Sequence, residues 1–349
     1  MSFETRLTPE LIEKFTSAGY WGDATFYDLF AARVAAHPDR EALSEARTRL
    51  TYGQLNENIL RTAAFLRAQG IARGDVVTIQ LPKRVEFAYV FFAHELIGAI
   101  ANKINPDFRT REVEFVLQFA GSRGYVCAAS FKGFDYVEMI RELRPKTPNL
   151  QVICVVDAPT GDDTVSLMDG LQKFEPLPPA ERVHMSANEI FRMAFTSGTT
   201  GNPKCALRSF NSTVPATRFN ARDMESSERD VTLIFLPIGL NWGYLEMVQA
   251  LLLGARAVLL ERFSAKAALE LIERERITVI PTAPAAIIAM LNEPELDAYD
   301  LSSLRVVITG GASCPEETLR EYIGRIPGRI IELYGMLETG FQSWTRFTD

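Results

Sequence analysis

The chain has 349 residues, 47% apolar and 23% charged, a balance that excludes a disordered tail, a collagen-like repeat and a coiled coil. That length is too great for one simple core and favours two packed units, or one unit with two lobes. With 37 basic and 44 acidic residues the net charge is −7, so an overall basic footprint for nucleic acid is absent.

In chain order, residues 26–36 read as a helix ended near His37-Pro38. Residues 52–69 read as another, with Leu55, Ile59, Leu60, Ala63 and Leu66 at helical spacing and Gly70 as the stop. A strand is predicted at 76–81, helices at 85–97 and 110–120, and buried strands at 125–128 and 151–156. From 157 to 188 the texture turns to Pro, Gly and acidic residues (APTGDD, LPPAE), which predicts a surface connection. The expected organisation is therefore a first α/β lobe over 1–156, a connection over 157–188 and a second α/β lobe over 189–349. In the second lobe, predicted strands at 191–195, 231–235, 256–260, 278–280, 305–309 and 329–333 alternate with predicted helices at 244–253, 265–274, 283–291 and 316–324. Such alternation predicts parallel sheets with helices on both faces. Ligands then sit beyond the carboxyl ends of the strands, which points to the loops 196–204, 236–243, 281–283, 310–313 and 334–340.

Cys127, Cys154, Cys205 and Cys314 have neither CxxC nor metal-ligand spacing and read as reduced thiols. His94 lies inside an apolar helical run and reads as a packed core histidine. The N-terminal MSFETRLTPELIEKF carries Glu4, Glu10 and Glu13 without an apolar core, unlike a signal peptide. The apolar run 251–260 has Arg256 inside it and falls short of the roughly twenty residues a membrane span needs. The expected compartment is the cytoplasm, with no nucleic-acid partner and no integral membrane segment; a homodimer is left open.

Residues 196–204 read Thr196-Ser197-Gly198-Thr199-Thr200-Gly201-Asn202-Pro203-Lys204. Small residues let backbone N–H groups approach a ligand; hydroxyls and one lysine add donors and charge, an arrangement suited to polyphosphate. It is not a Walker loop, because Asn202-Pro203 separates Gly201 from Lys204. Composition alone also allows a Ser/Thr/Gly-rich surface turn.

The ordered run TSGTTGNPK resembles the signature of the adenylate-forming superfamily: acyl-CoA synthetases, adenylation domains of peptide synthetases, and luciferases. Other segments are similar to that family's in order and spacing: Leu50-Thr51-Tyr52-Gly53-Gln54-Leu55, Gly98-Ala99 with Asn105-Pro106, Leu236-Pro237, and Tyr334-Gly335-Met336-Leu337-Glu338. The resemblance runs from about residue 24 to 339. It implies the N-terminal domain of an AMP-dependent acyl- or aryl-CoA synthetase, built as two stacked, mostly parallel sheets flanked by helices. It implies that Mg²⁺ and ATP activate a carboxylic acid to an acyl-adenylate, which a thiol of coenzyme A or a carrier protein then takes. By match to the motif, Thr196, Ser197, Gly198, Thr199, Thr200, Gly201 and Lys204 would hold the β- and γ-phosphates. Thr200, Lys204 and Glu338 would form the catalytic set, and Glu338 would help place Mg²⁺. Gly310, Gly311 and Ala312 would pass against adenine, with Tyr334 stacked on it and Gly335 and Met336 beside it. Asn241, Trp242 and Gly243 would wall the acid pocket. The alternatives by residue type are a solvated carboxylate for Glu338, strand-end packing for Tyr334 and a helix N-cap for Asn241.

Three departures from the family pattern matter. Leu337 stands where the family usually has a threonine on the adenylate phosphate; Thr339 is the candidate substitute. Asn241 stands where domains for amino acids carry an Asp. Asn cannot supply that charge, so an aromatic, alicyclic or acyl acid is expected over an α-amino acid. The family's later Tyr-x-Thr-Gly-Asp segment, its closing barrel and its small C-terminal domain do not follow Thr339 within these 349 residues, so a truncated N-terminal domain of uncertain own activity is expected. The competing readings are a non-catalytic nucleotide- or acid-binding remnant of the same fold, an aryl-acid AMP ligase serving a carrier protein and, more distantly, a phosphotransferase.

Overall fold

The computed structural model describes residues 5–195 and 204–347. Helices begin where the sequence supplies caps: Thr25 closes a capping box with Asp28 ahead of Phe26–Ala36, and Thr51 with Gln54 ahead of Tyr52–Ala68. Gly98 and Gly254, at φ of 69° and 84°, stop helices Val85–Ile97 and Asn241–Leu253, a left-handed turn that glycine enters without a Cβ penalty.

The strands form two large sheets. One runs in spatial order Gly340–Trp344, Arg329–Met336, Val306–Gly310, Val279–Thr282, Val231–Ile234, Arg256–Leu259, Glu41–Ser44, Arg49–Thr51. The other runs Cys205–Ser209, Ile190–Phe195, Ile100–Lys103, Val76–Gln80, Gly124–Cys127, Val152–Val155, Val165–Ser166. Pairing within both is parallel except at three edges, where Arg49–Thr51, Cys205–Ser209 and Gly340–Trp344 run antiparallel to their neighbours. The sheets exchange strands along the chain. Glu41–Ser44 and Arg49–Thr51 join the sheet otherwise built after residue 230, and Ile190–Phe195 and Cys205–Ser209 join the sheet otherwise built before residue 167. Residues 157–188 contribute strand Val165–Ser166, paired with Val152–Val155, and helix Leu167–Lys173.

Three apolar clusters define the layers. Helices Thr110–Ala120 and Tyr136–Leu143 cover one outer face, through Val116, Leu117 and Ile140 against Tyr125 and Ile153. Helices Ala265–Glu275, Pro284–Leu291 and Glu316–Arg325 cover the other, through Leu269, Ile287 and Tyr322 against Leu233 and Val307. The largest cluster takes Ile79 and Phe191 from one sheet, Leu259 and Ile308 from the other, and Phe91 and Tyr244 from two helices between them. Those helices, Val85–Ile97 and Asn241–Leu253, are buried nearly all round, as an inter-sheet position demands. The expected fold class, stacked mostly parallel sheets flanked by helices, is what the chain adopts. His94 is 1% exposed and burial holds its imidazole down to about 4, so it is a neutral core side chain. Cys127 and Cys154 are buried thiols, Cys205 and Cys314 half-buried ones. No helix among the described residues is long and apolar enough to cross a membrane.

Candidate active site

The carboxyl ends of the parallel strands bring several sequence-predicted residues together. Gly310, Gly311 and Ala312, which leave strand Val306–Gly310, line an open cavity of about 600 Å³ with Tyr334 and Gly335 of the neighbouring strand. Tyr334 is 59% exposed, so strand-end packing does not account for it. Gly310 cannot carry a side chain: an ideal Cβ would lie 2.3 Å from the Leu333 carbonyl oxygen and 3.2 Å from the Trp242 ring. Trp242 therefore stands against the glycine turn, and its indole N–H donates to Glu246 Oε1 at 2.8 Å. Glu246 is 2% exposed, and burial pushes its carboxyl up to about 7.

Asn241 is the first residue of its helix, and the cap position is Leu240, without a side-chain cap. The N-cap alternative for Asn241 is thus not what forms. Its amide is used at both ends: Oδ1 accepts from Arg192 Nη2 at 2.8 Å and Nδ2 donates to the Met336 carbonyl at 3.2 Å. Gly243 gives room to the chain itself, since a Cβ there would be 2.6 Å from the Pro237 carbonyl oxygen.

Met336 pairs with Gly340 across an antiparallel hairpin, and Leu337, Glu338 and Thr339 form its tip. The Glu338 side chain is exposed, while its carbonyl accepts from Arg208 Nη1 at 2.6 Å. The Thr339 hydroxyl is buried without a hydrogen-bond partner among the described residues. Thr196, Ser197, Gly198, Thr199, Thr200 and Gly201 lie outside the described residues. Beside them, Phe195 and Cys205 are register partners in antiparallel strands, and Lys204 is exposed.

Sequence reasoning missed the buried cations. Arg192, Lys103 and Arg208 are 0%, 2% and 6% exposed. Arg192 and Arg208 face each other across the strand pair. Lys103 Nζ donates to the Gly239 and Leu240 carbonyls at 3.2 and 2.8 Å and sits 4.0 Å from the Tyr244 ring centroid. Arg192 lies 4.8 Å from the same ring, so cation–π attraction offsets part of the desolvation of both. Burial, then the nearby Arg192, holds the Lys103 ammonium well below its ordinary range; the same causes bring Arg208 down to about 10. The signal was present: a single charge inside each of the apolar runs Phe191-Arg192-Met193-Ala194-Phe195 and Ile100-Ala101-Asn102-Lys103-Ile104.

Residues 30–349 match the family model described as AMP-binding enzyme. The medium-chain fatty-acid–CoA ligase of Escherichia coli K12 is 31% identical over 329 residues, covering 93% of this chain and 57% of that protein. The salicyl-AMP ligase / salicyl-S-ArCP synthetase of Mycobacterium tuberculosis is 31% identical over 345 residues, covering 96% and 60%. The apo structure of MbtA from Mycobacterium smegmatis superposes with a TM-score of 0.88 at 25% identity, covering 99% of this chain and 63% of that one. The chain thus spans less than two thirds of the length of these relatives. On the family match over residues 30–349 and the fold it shares with these proteins, the chain belongs to the AMP-binding enzymes.

Proposed function

We propose that the chain supplies the adenylate-forming site of an acid–thiol ligase: ATP activates a carboxylic acid to an acyl-adenylate with release of pyrophosphate. The acyl group then passes to the thiol of coenzyme A or of a carrier protein. The observation that carries the reading is the juxtaposition of the Gly310–Gly311–Ala312 and Tyr334 cavity with Trp242 and with the Glu338 hairpin. In it, the glycine turn takes the adenine edge, Tyr334 stacks on its face, and residues 196–201 with Lys204 hold the polyphosphate. Trp242 gives the acid a flat apolar wall. Asn241 is tied to Arg192 and Met336, so it shapes that wall and offers no carboxylate for an ammonium group. This favours an aromatic, alicyclic or acyl substrate over an α-amino acid.

Mg²⁺ fits the residues present. Glu338 offers one exposed carboxylate, and no cluster of three or more His, Cys, Asp or Glu ligands stands among the described residues. Magnesium in nucleotide sites takes most of its oxygens from phosphates and water and needs one or two protein carboxylates. Bound there, it would neutralise phosphate charge.

Calorimetric binding of non-hydrolysable acyl-adenylate analogues tests the reading. Benzoyl and alkanoyl sulfamates of adenosine are expected to bind more tightly than AMP, because they fill both halves of the site. Affinities no better than that of AMP, or a preference for glycyl and alanyl sulfamates, would sink it.

A further inference from the structure

Arg208 lies on the edge strand Cys205–Ser209 with 6% of its surface exposed. Its Nη1 donates to the Glu338 carbonyl at 2.6 Å, and its Nη2 to the Thr339 carbonyl at 3.1 Å and to the Ser212 carbonyl. Its direct cross-strand neighbour is Arg192, and no carboxylate forms an ion pair with it among the described residues. A buried guanidinium facing a like charge carries a large desolvation cost. The hairpin closes without it: Met336 pairs with Gly340, and Thr339 N donates to the Met336 carbonyl at 3.3 Å. What Arg208 adds is a tie between two otherwise separate elements, the strand that begins beside Lys204 and the tip that bears Glu338. Arg192 holds the other end of the same turn, through Asn241 to the Met336 carbonyl.

We propose that Arg208 is a positioning residue that fixes the Glu338 carboxylate relative to the polyphosphate by holding the backbone of Glu338 and Thr339. The proposal rests on the reading of Glu338 as the Mg²⁺ carboxylate. A purely structural tie would cost stability alone; a positioning tie changes what Mg²⁺ adds to nucleotide binding.

The test is a double-variant cycle, with ATP affinity measured by calorimetry in Mg²⁺ and in EDTA. In the wild-type chain Mg²⁺ is expected to tighten ATP binding, and Glu338→Ala is expected to abolish that gain. Arg208→Met, with Glu338 intact, is expected to cut the gain by about 10-fold or more, the range seen for outer-shell partners of metal ligands. Affinity in EDTA stays unchanged. The double variant loses no more than Glu338→Ala alone, since both act through one carboxylate. Arg208→Lys keeps a donor for one carbonyl and is expected to restore part of the gain. Should Arg208→Met not fold, Arg208→Lys takes its place in the cycle with a smaller loss, again absorbed by Glu338→Ala. A full Mg²⁺ gain in the Arg208 variants, or a double-variant loss equal to the sum of the singles, overturns the positioning role. A wild-type chain that binds no ATP, or binds it without any Mg²⁺ effect, overturns the functional reading and Arg208's role with it.

Discussion

Arg192 donates from Nη2 to Asn241 Oδ1 at 2.8 Å, and its Nε and Nη1 have no hydrogen-bond partner among the described residues. An arginine cannot shed its proton to relieve burial, so this hydrogen bond and the Tyr244 ring 4.8 Å away offset the desolvation of a fully buried cation. Asn241→Ala is expected to lower stability by about 2–3 kcal/mol, the cost of stranding a buried charged donor, as read by urea unfolding. An Asn241→Ala chain as stable as the wild type would show that Arg192 finds another partner.

Asn241→Asp makes a sharper case for specificity. A carboxylate at this position would pair with Arg192 before any ligand arrives. The variant is therefore expected not to gain affinity for glycine or alanine, as measured by calorimetry. A gain of tenfold or more, about 1.4 kcal/mol, would show that the side chain faces the substrate rather than Arg192.

Glu246 gives a pH signature. Burial raises its carboxyl from an ordinary 4.5 to about 7. Below pH 4.5 both folded and unfolded chains hold the proton. As pH rises towards 7 the unfolded chain releases it and the folded chain does not, so Glu246's contribution to stability is lost across that window. Glu246→Gln keeps an acceptor for Trp242 without the ionisation. Its stability relative to wild type is expected to improve by on the order of 3 kcal/mol between pH 4.5 and 7.5, measured by urea unfolding at the two pH values. A flat difference would place Glu246 in a more polar setting.

Tyr334 and Gly310 should separate binding from folding. Tyr334→Ala removes an exposed ring and is expected to leave stability within about 0.5 kcal/mol. Loss of base stacking is expected to weaken adenine nucleotide binding by about 10-fold. Gly310→Ala drives a methyl group into the Leu333 carbonyl, and is expected to cost about 1–3 kcal/mol and to weaken nucleotide binding as well. A Tyr334→Ala chain with unchanged nucleotide affinity would remove the stacking role.

Much of the fold was legible in the sequence because period and punctuation agree. Helix Phe26–Ala36 ends at His37, as read, and helix Val85–Ile97 has the bounds read for it. Sheet membership was not legible. Glu41–Ser44 and Arg49–Thr51 are too short to show a period, and which sheet they join depends on contacts with Arg256–Leu259, more than 200 residues away. Strand Gly340–Trp344 was missed because GFQSW lacks a clean alternation, and its pairing is set by the hairpin at Leu337, Glu338 and Thr339. In the site, the glycine turn and Tyr334 were legible from motif order, and they do line one cavity. Lys103 and Arg192 were signalled only by a lone charge within an apolar run, and Arg208 not at all, because the motif says nothing about the strands beneath its loops. Lys103 and Arg192 are covered by the Tyr244 ring, on a helix that joins two strands of the other sheet.

Pyrophosphate exchange into ATP by this chain, with Mg²⁺ and a panel of benzoates, alicyclic acids, fatty acids and amino acids, tests the central claim most directly. The account predicts exchange that depends on a carboxylic acid, is fastest with one of the classes lacking an α-ammonium group, and is abolished by Glu338→Ala. Exchange fastest with glycine or alanine, or no acid-dependent exchange with any member of the panel, would contradict it.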